Sequence, residues 1–97
     1  MPKPEATTEV STEILADTSL ESMYQVILFN DNHNTMPHVV VTLMRVFGHT
    51  QPLAVKIMHE AHNKGRAIAE VEAKVRAIKH KQQLESAGLT ASVEPVC

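Results

Sequence analysis

The sequence predicts an α+β domain in which three helices cover one face of a small antiparallel three-stranded sheet. Apolar stretches of strand length alternate with longer segments whose apolar residues recur at helical spacing. Threonine and proline stand before the helical segments, and glycine stands after them, as is typical of helix starts and ends. The predicted order is strand, helix, helix, short strand, helix, strand.

The chain has 97 residues, and residues 1–22 are rich in Pro, Thr, Ser and Glu. Because such a segment buries too little apolar surface to offset its ordering entropy, we expect a flexible N-terminal tail. Residues 23–97 then form one domain. A domain of this size buries only about 60% of its unfolded surface, which favours a shallow surface pocket over a deep cavity.

The first strand is predicted at Met23–Phe29, an almost continuous apolar run that is followed by an Asn/Asp turn. After a polar loop, Pro37 is well suited to be the first residue of a helix. Gly48 ends this first helix. Its apolar stripe contains Val39, Val40, Leu43, Met44 and Phe47.

The second helix is predicted between Thr50 as its N-cap and Gly65 as a left-handed C-cap. Its inner face carries Leu53, Ile57, Met58 and Ala61. The short apolar link Arg66–Ala69 is predicted as a brief strand. We expect this strand to be the shortest of the sheet.

A third helix is predicted from Glu70 to about Ala87, with Val71, Val75 and Ile78 facing inward. Gly88 ends this helix. After it, apolar and polar residues alternate, which predicts a last strand with one buried face. Its apolar positions are Leu89, Ala91 and Val93.

Composition excludes several classes of function. The net charge of −2 and the presence of only three aromatic residues argue against nucleic-acid binding. The single cysteine, Cys97, permits no intrachain disulfide. No run is apolar and long enough for a membrane span, and the N-terminus has no signal-peptide pattern. We therefore expect a cytoplasmic protein.

Two features of the sequence are candidates for function. Polar residues 30–34 directly follow the first strand, where a rigid element would hold them as a binding rim. The alternative is a simple turn, which Asn and Asp favour by bonding their own backbone. Met58 and His62 are four residues apart and share one face of the second helix. The alternative for His62 is a histidine that complements the helix dipole.

Together, the two features suit the binding of a free α-ammonium group. Such a cation needs acceptors, which the carboxylate of Asp31, the amide oxygen of Asn30 and a neutral His62 imidazole would supply. The side chain beside the ammonium group needs an apolar socket, and methionine adapts well to varied apolar groups. The socket candidates are Leu28, Met36, Val39 and Met58.

The ordered set of motifs resembles the ClpS family of adaptor proteins. The run Tyr24-Gln25-Val26-Ile27-Leu28-Phe29-Asn30-Asp31 is similar to the strand and Asn-Asp pair of that family. The resemblance covers residues 23–94. Its downstream elements are Met36, Val39, Ala54, Ile57-Met58 and His62-Asn63-Lys64-Gly65-Arg66-Ala67.

The resemblance implies a non-catalytic adaptor without a cofactor. It would bind proteins that carry a bulky hydrophobic N-terminal residue (an N-degron) and deliver them to a Clp AAA+ unfoldase and protease. Asn30, Asp31 and His62 would receive the N-terminal amine, with Asn32 and Asn34 on the rim. The side-chain pocket would be formed by Leu28, Met36, Val39, Met58, Ala61 and Leu89.

Further roles follow from the same resemblance. Met36 would be a gatekeeper that excludes β-branched first residues. Lys74 would lie on the surface that docks the N-terminal domain of a ClpA/ClpC-type unfoldase. The tail, residues 1–22, would engage the unfoldase during delivery. We expect a monomer with no nucleic-acid or membrane partner.

The sequence departs from the family pattern at three places. Asn32 replaces the second acidic residue of the usual Asn-Asp-Asp rim, and Asn34-Thr35 replaces the usual Thr-Pro. The segment after Ala69 is short for the family, so we expect it to lose most of a strand and an acidic docking position. Such shortening resembles a divergent subfamily in cyanobacteria.

Three other classes of function compete with this interpretation. Six histidines suggest a metal site, but His59 and His62 alone fall short of the four ligands that zinc usually takes. The sequence contains no catalytic triad pattern, Gly-rich phosphate loop or paired carboxylates that would indicate an enzyme. A small interaction domain is also compatible with the fold, which resembles the C-terminal domain of the ribosomal stalk protein. Only the rim of Asn30, Asp31 and His62 separates an amine-binding adaptor from such a domain.

Overall fold

A computed structural model describes residues 23–96. The expected tail, residues 1–22, and Cys97 lie outside the described residues. Within residues 23–96 there are three helices and three strands, so the predicted α+β class is confirmed. The elements in chain order are β1 (Met23–Phe29), α1 (Met36–Phe47), α2 (Gln51–Lys64), β2 (Arg66–Ala73), α3 (Lys74–Ser86) and β3 (Thr90–Pro95).

The sheet has the strand order β2-β1-β3 and is antiparallel throughout. The first strand is therefore central, which explains why Val26, Ile27 and Leu28 are all buried. The helices pack on the face that carries Val26 and Leu28. The other buried members of this core are Val40, Leu43, Ala54, Ile57, Met58, Ala61, Ala67, Ala69, Ala77, Leu84, Leu89 and Ala91.

The first helix begins one residue before the predicted Pro37, and both of the first two helices end at the predicted glycines. The Thr50 hydroxyl accepts a hydrogen bond from the Leu53 amide at 3.4 Å, as expected of an N-cap. Gly65 ends α2 with φ +90°, a left-handed conformation that glycine adopts without a steric penalty. Thr35 caps α1 in the same way as Thr50 caps α2, by accepting from the His38 amide.

The second strand is longer than predicted. It runs over Arg66–Ala73 and pairs with β1 as far as Met23, so the expected loss of most of a strand is wrong. The third helix accordingly begins at Lys74 instead of Glu70. The helical spacing of apolar residues in 70–73 is overridden by backbone pairing with β1, a contact between distant segments that the local pattern does not contain.

A β-bulge at Ala69 changes which side chains face the helices. Val26 pairs with Glu70 and Ile27 pairs with Ile68, so Ala69 has no partner on β1. Beyond the bulge the alternation is shifted by one residue. Glu72 therefore reaches α3, where its carboxylate lies 2.6 Å from Nδ1 of His80. Val71 is left 42% exposed, contrary to the inward orientation predicted for it.

The inward face predicted for the third helix is also wrong. Val75 is 76% exposed and Ile78 is 39% exposed. The residues of α3 that pack in the core are Ala77 and Leu84. Because the helix starts four residues later than predicted and follows the bulged strand, its orientation on the sheet differs from the one that the apolar spacing indicates.

Aromatic and histidine rings join three elements at the end of α1. The Phe47 ring stacks on His49 with 5.1 Å between centroids and meets the edge of His80 at 4.9 Å. Nε2 of His49 donates to the carbonyl oxygen of Ala69 at 2.8 Å, so it caps the bulge. This cluster fixes β2 and α3 against α1. In the described part of the chain, no helix has the length and apolar character needed to cross a bilayer.

Candidate functional site

A cavity of about 180 Å³ opens where β1 ends, between the start of α1 and the end of α2. Every residue that the sequence analysis assigns to the amine rim or the side-chain pocket lines it. Phe29 is the one further lining residue of this cavity. The full lining is Leu28, Phe29, Asn30, Asp31, Asn32, Asn34, Met36, Val39, Met58, Ala61, His62 and Leu89.

The inner part of the cavity is apolar. Leu28, Met58, Ala61 and Leu89 are all buried there, and they come from β1, α2 and the residue before β3. Val39 is half-buried on α1. Met36 is 43% exposed at the first residue of α1 and lies at the mouth. The cavity thus has an apolar floor and a flexible thioether side chain at its entrance.

One backbone hydrogen bond joins the two elements that carry Asn30 and His62 on the polar side of the cavity. The amide of Asn30 donates to the carbonyl oxygen of Gly65 at 3.0 Å, which fixes the end of β1 against the end of α2. His62 lies in the last turn of α2, three residues before Gly65. Asn30 and His62 are both exposed and line the same cavity. Their side chains are therefore accessible to a ligand.

The Asp31 carboxylate organises the loop that follows β1. Its Oδ1 accepts from the His33 amide at 3.0 Å and from the Asn34 amide at 3.2 Å. The Asn34 side chain donates to the same oxygen at 2.9 Å and to Oδ2 at 3.2 Å. Thr90 adds a hydroxyl at 3.4 Å from Oδ2. The loop is thus a turn stabilised by its own carboxylate, and at the same time part of the cavity wall.

These contacts keep Asp31 ionised. Partial burial alone would raise the pKa of its carboxyl. Hydrogen bonds from the Asn34 side chain and from the amides of His33 and Asn34, together with the charge of a nearby His33 ring, outweigh burial and hold this pKa below its ordinary value. The cavity mouth therefore carries one fixed negative charge at neutral pH.

Two side chains at the start of α1 bind the end of α3. The Asn34 amide nitrogen donates to the Gly88 carbonyl at 2.8 Å, and Nε2 of His38 lies 2.8 Å from the Ala87 carbonyl. His38 was not among the predicted site residues, because its partner is 49 positions away and no local pattern contains it. Phe29, the other lining residue that was not predicted, has its ring under the Arg66 guanidinium.

Lys74, the predicted docking residue, is far from the cavity. It is exposed at the first residue of α3, and its Nζ lies 5.6 Å from the centroid of the Tyr24 ring. Tyr24 is at the start of β1 and the cavity is at its other end. A strand of seven residues separates the two sites by about 20 Å.

Within residues 23–96, no three side chains of His, Cys, Asp or Glu come together in a group that could hold a metal ion. His49 and His80 belong to the aromatic cluster at the end of α1, and His38 binds a carbonyl. Three of the histidines that suggested a metal site therefore have other partners. The cavity itself combines polar side chains at its mouth with buried apolar side chains at its floor.

Comparisons with known proteins identify the family of the chain. Residues 19–92 match a family described as ClpS, ATP-dependent Clp protease adaptor protein ClpS. The chain is 49% identical over 73 residues to the ATP-dependent Clp protease adapter protein CLPS1, chloroplastic, of Arabidopsis thaliana; the match covers 74% of this chain and 46% of that protein. It is 39% identical over 93 residues to the ClpS adapter protein of the cyanobacterium Gloeobacter violaceus, with 91% and 100% coverage.

A solved structure shares the fold. It is described as Agrobacterium tumefaciens ClpS2 bound to L-phenylalaninamide. The two chains are 27% identical with a TM-score of 0.68, and the superposition covers 77% of this chain and 98% of the other. L-Phenylalaninamide carries a free α-amine next to an aromatic side chain.

Proposed function

The chain belongs to the ClpS family, and we propose that it captures proteins by a bulky hydrophobic N-terminal residue and delivers them to a Clp AAA+ unfoldase for degradation. The observation that carries this proposal is the composition of a single cavity. Its floor is made of buried apolar side chains, and its mouth carries the exposed Asn30 and His62 beside the ionised Asp31. A protein with a hydrophobic N-terminal residue has the complementary groups: an apolar side chain for the floor and, next to it, an α-ammonium group for the polar mouth.

In the proposed complex, the α-ammonium group lies between Asn30 and His62. The amide oxygen of Asn30 and a neutral His62 imidazole accept its hydrogens. Oδ1 of Asp31 already accepts three hydrogen bonds, at 2.9 to 3.2 Å, whereas Oδ2 accepts two, at 3.2 and 3.4 Å. We therefore assign to Asp31 an attractive charge and, through Oδ2, a direct contact with the ammonium group. Asn32 and Asn34 complete the rim.

The first side chain of the bound protein occupies the apolar floor. A cavity of about 150 Å³ is enough to hold a benzene ring, so the volume of about 180 Å³ suits Phe, Tyr or Leu. Burying such a side chain contributes about 1.5–3 kcal/mol, and each hydrogen bond to the ammonium group contributes about as much. After the cost of association, these terms give an affinity in roughly the micromolar range.

Met36 is proposed to select among first residues. It is the most exposed apolar side chain of the cavity lining and stands at the mouth. A residue branched at Cβ carries bulk close to its own backbone, where Met36 would contact it. Unbranched Cβ groups, as in Phe, Tyr, Trp and Leu, pass this point and place their bulk deeper.

Delivery requires a second surface, and we propose that Lys74 belongs to it. This residue is exposed at the end of the molecule opposite the cavity, about 20 Å away along β1. An unfoldase domain could therefore bind there while the cavity holds a substrate. The tail, residues 1–22, is proposed to contact the unfoldase during transfer. The proposed binding partner is the N-terminal domain of a ClpA/ClpC-type unfoldase.

We further propose that the chain acts in the cytoplasm as an adaptor and not as an enzyme. The relatives are named adaptor or adapter proteins, which supports the adaptor role, whereas the name of the Arabidopsis relative gives the chloroplast as its compartment. Fractionation of the source cells followed by immunoblotting tests the compartment. Recovery in the membrane fraction would contradict the cytoplasmic assignment.

The decisive test is a fluorescence anisotropy titration with labelled peptides that differ only in their first residue. Peptides that begin with Phe, Tyr, Trp or Leu are expected to bind, whereas the same peptides with an acetylated N-terminus are not. Acetylation removes both the charge and a donor that the rim receives. Equal binding of acetylated and free peptides would refute the proposed function.

A further inference from the structure

We infer that Asn34 and His38 form a clasp that positions the Leu89 wall of the cavity and thereby sets its selectivity. The inference rests on the proposed function and names two positioning residues for it. The side-chain atoms of Asn34 and His38 that form the clasp do not need to contact the ligand. Both act on the turn between α3 and β3.

The turn has a defined geometry of its own. The amide of Leu89 donates to the carbonyl of Leu84 at 3.0 Å, and the amide of Gly88 donates to the carbonyl of Glu85 at 2.9 Å. These two bonds form a Schellman motif, with Gly88 in the left-handed conformation at φ +92°. The motif turns the chain so that Leu89, which follows the glycine, is buried against the cavity.

The clasp uses two successive carbonyl groups of this turn. His38 binds the carbonyl oxygen of Ala87, and Asn34 binds that of Gly88, each at 2.8 Å. A carbonyl oxygen only accepts, so Nε2 of His38 carries the hydrogen. The two bonds fix the turn against the start of α1. Leu89 therefore keeps a set distance from Met36 and Val39, which line the same cavity from α1.

Asn34 differs from His38 in one respect. Its amide nitrogen has two hydrogens, and it contacts both the Asp31 carboxylate, at 2.9 and 3.2 Å, and the Gly88 carbonyl. Asn34 thus links the charged rim to the apolar wall. Among residues 23–96, the His38 ring forms a hydrogen bond only with the wall. Loss of Asn34 should disturb both recognition of the amine and selection of the side chain, whereas loss of His38 should disturb the second alone.

The experiment compares wild-type protein, Asn34→Ala, His38→Ala and His38→Gln with Phe-, Leu- and acetylated Phe-peptides. The control is Gln82→Ala, an exposed amide side chain of α3. In His38→Ala, the ratio of Phe to Leu affinity is expected to change about twofold to tenfold, with an unchanged loss on acetylation. In Asn34→Ala, the ratio of Phe to Leu affinity is expected to change, and the loss of affinity on acetylation of the peptide is also expected to become smaller. His38→Gln restores the wild-type ratio, because its amide nitrogen can donate from nearly the same place.

The possible failures are distinguishable. If the wild-type protein binds none of the free peptides, the proposed function is wrong, and the selectivity role of Asn34 and His38 is then wrong as well. If the wild-type protein binds them and folded His38→Ala keeps the wild-type ratio, the clasp inference alone is wrong. Thermal unfolding establishes whether each variant is folded. Should Asn34→Ala not fold, His38→Ala and its Gln rescue decide the question, since His38 is exposed.

Discussion

The backbone amide of Asn30 and the carbonyl oxygen of Gly65 are joined by a 3.0 Å hydrogen bond. This contact brings the last turn of α2, with His62, to the end of the central strand. The polar mouth of the cavity therefore depends on a glycine that no ligand needs to touch. Its conformation at φ +90° is one that other residues adopt only at a cost.

Gly65→Ala tests this dependence. The strained conformation is expected to lower the free energy of unfolding by about 1–2 kcal/mol, since an added Cβ would meet no atom within 4 Å and the cost is one of backbone conformation. Gly48→Ala is a matched control with φ +73° and equally open surroundings. Urea denaturation should give similar losses for both, but only Gly65→Ala should weaken peptide binding. Equal weakening of binding by both would contradict the proposed link.

His62→Ala is expected to weaken binding of a Phe-peptide by about tenfold or more, because a hydrogen bond to a charged group contributes about 1.5–3 kcal/mol. His59→Ala is the control, since His59 is an exposed histidine of the same helix and does not line the cavity. Anisotropy titrations measure both variants. Comparable losses would indicate general damage to α2 instead of a missing acceptor.

Met36→Ala should broaden the range of accepted first residues. Removing the thioether side chain from the mouth leaves room for a branched Cβ, so peptides that begin with Ile or Val are expected to gain affinity. Val41→Ala is a suitable control, because Val41 is an exposed apolar residue of the same helix outside the cavity lining. An unchanged preference in Met36→Ala would remove the gatekeeper role.

The Asp31 carboxylate makes stability depend on pH in a defined direction. Its pKa in the folded protein is below the ordinary value, so its contribution is fully present above the unfolded pKa of about 3.9 and is lost as the pH falls through the folded value. The stability difference between wild-type protein and Asp31→Asn should therefore be constant above about pH 5 and shrink toward pH 2. Urea titrations across this range measure it. A difference that stays constant throughout would show that the charge of Asp31 is not involved.

His80→Ala should reduce stability and leave binding unchanged. The side chain is partly buried, contacts Glu72 at 2.6 Å and packs on Phe47. Its removal leaves Glu72 without this partner, which costs about 1–3 kcal/mol. Denaturation of His80→Ala and of the exposed-site control His59→Ala gives the comparison. A loss of peptide binding in folded His80→Ala would mean that the ring cluster and the cavity are coupled.

The parts of the fold that the sequence predicts well are those with local causes. The strand at Met23–Phe29 follows from one apolar run, and both Thr50 and Gly65 are capping residues whose effect lies within a single turn. The shared helix face of Met58 and His62 follows from their spacing. The structure accordingly brings these residues together in the cavity, while their roles in binding stay predictions.

The features that the sequence analysis predicted wrongly or missed depend on contacts between distant segments of the chain. The orientation of Val71 and Val75 depends on the bulge at Ala69, which exists only because β2 pairs with β1. The bond from Asn34 to Gly88 spans 54 positions, and that from His38 to Ala87 spans 49. No periodicity within either segment contains such information. The family resemblance predicted Leu89 as a pocket residue, but it did not predict the hydrogen bonds from Asn34 and His38 that hold the turn before Leu89 in place.

The bulge at Ala69 also bears on how copies of this molecule meet. The second strand is at the edge of the sheet, and a regular edge invites another strand to extend the ladder. At Ala69 the regular pairing of β2 with β1 is interrupted, and the Ala69 carbonyl oxygen already accepts a hydrogen bond from His49. An incoming strand could therefore not continue a regular ladder along β2, which discourages edge-to-edge aggregation at this edge of the sheet.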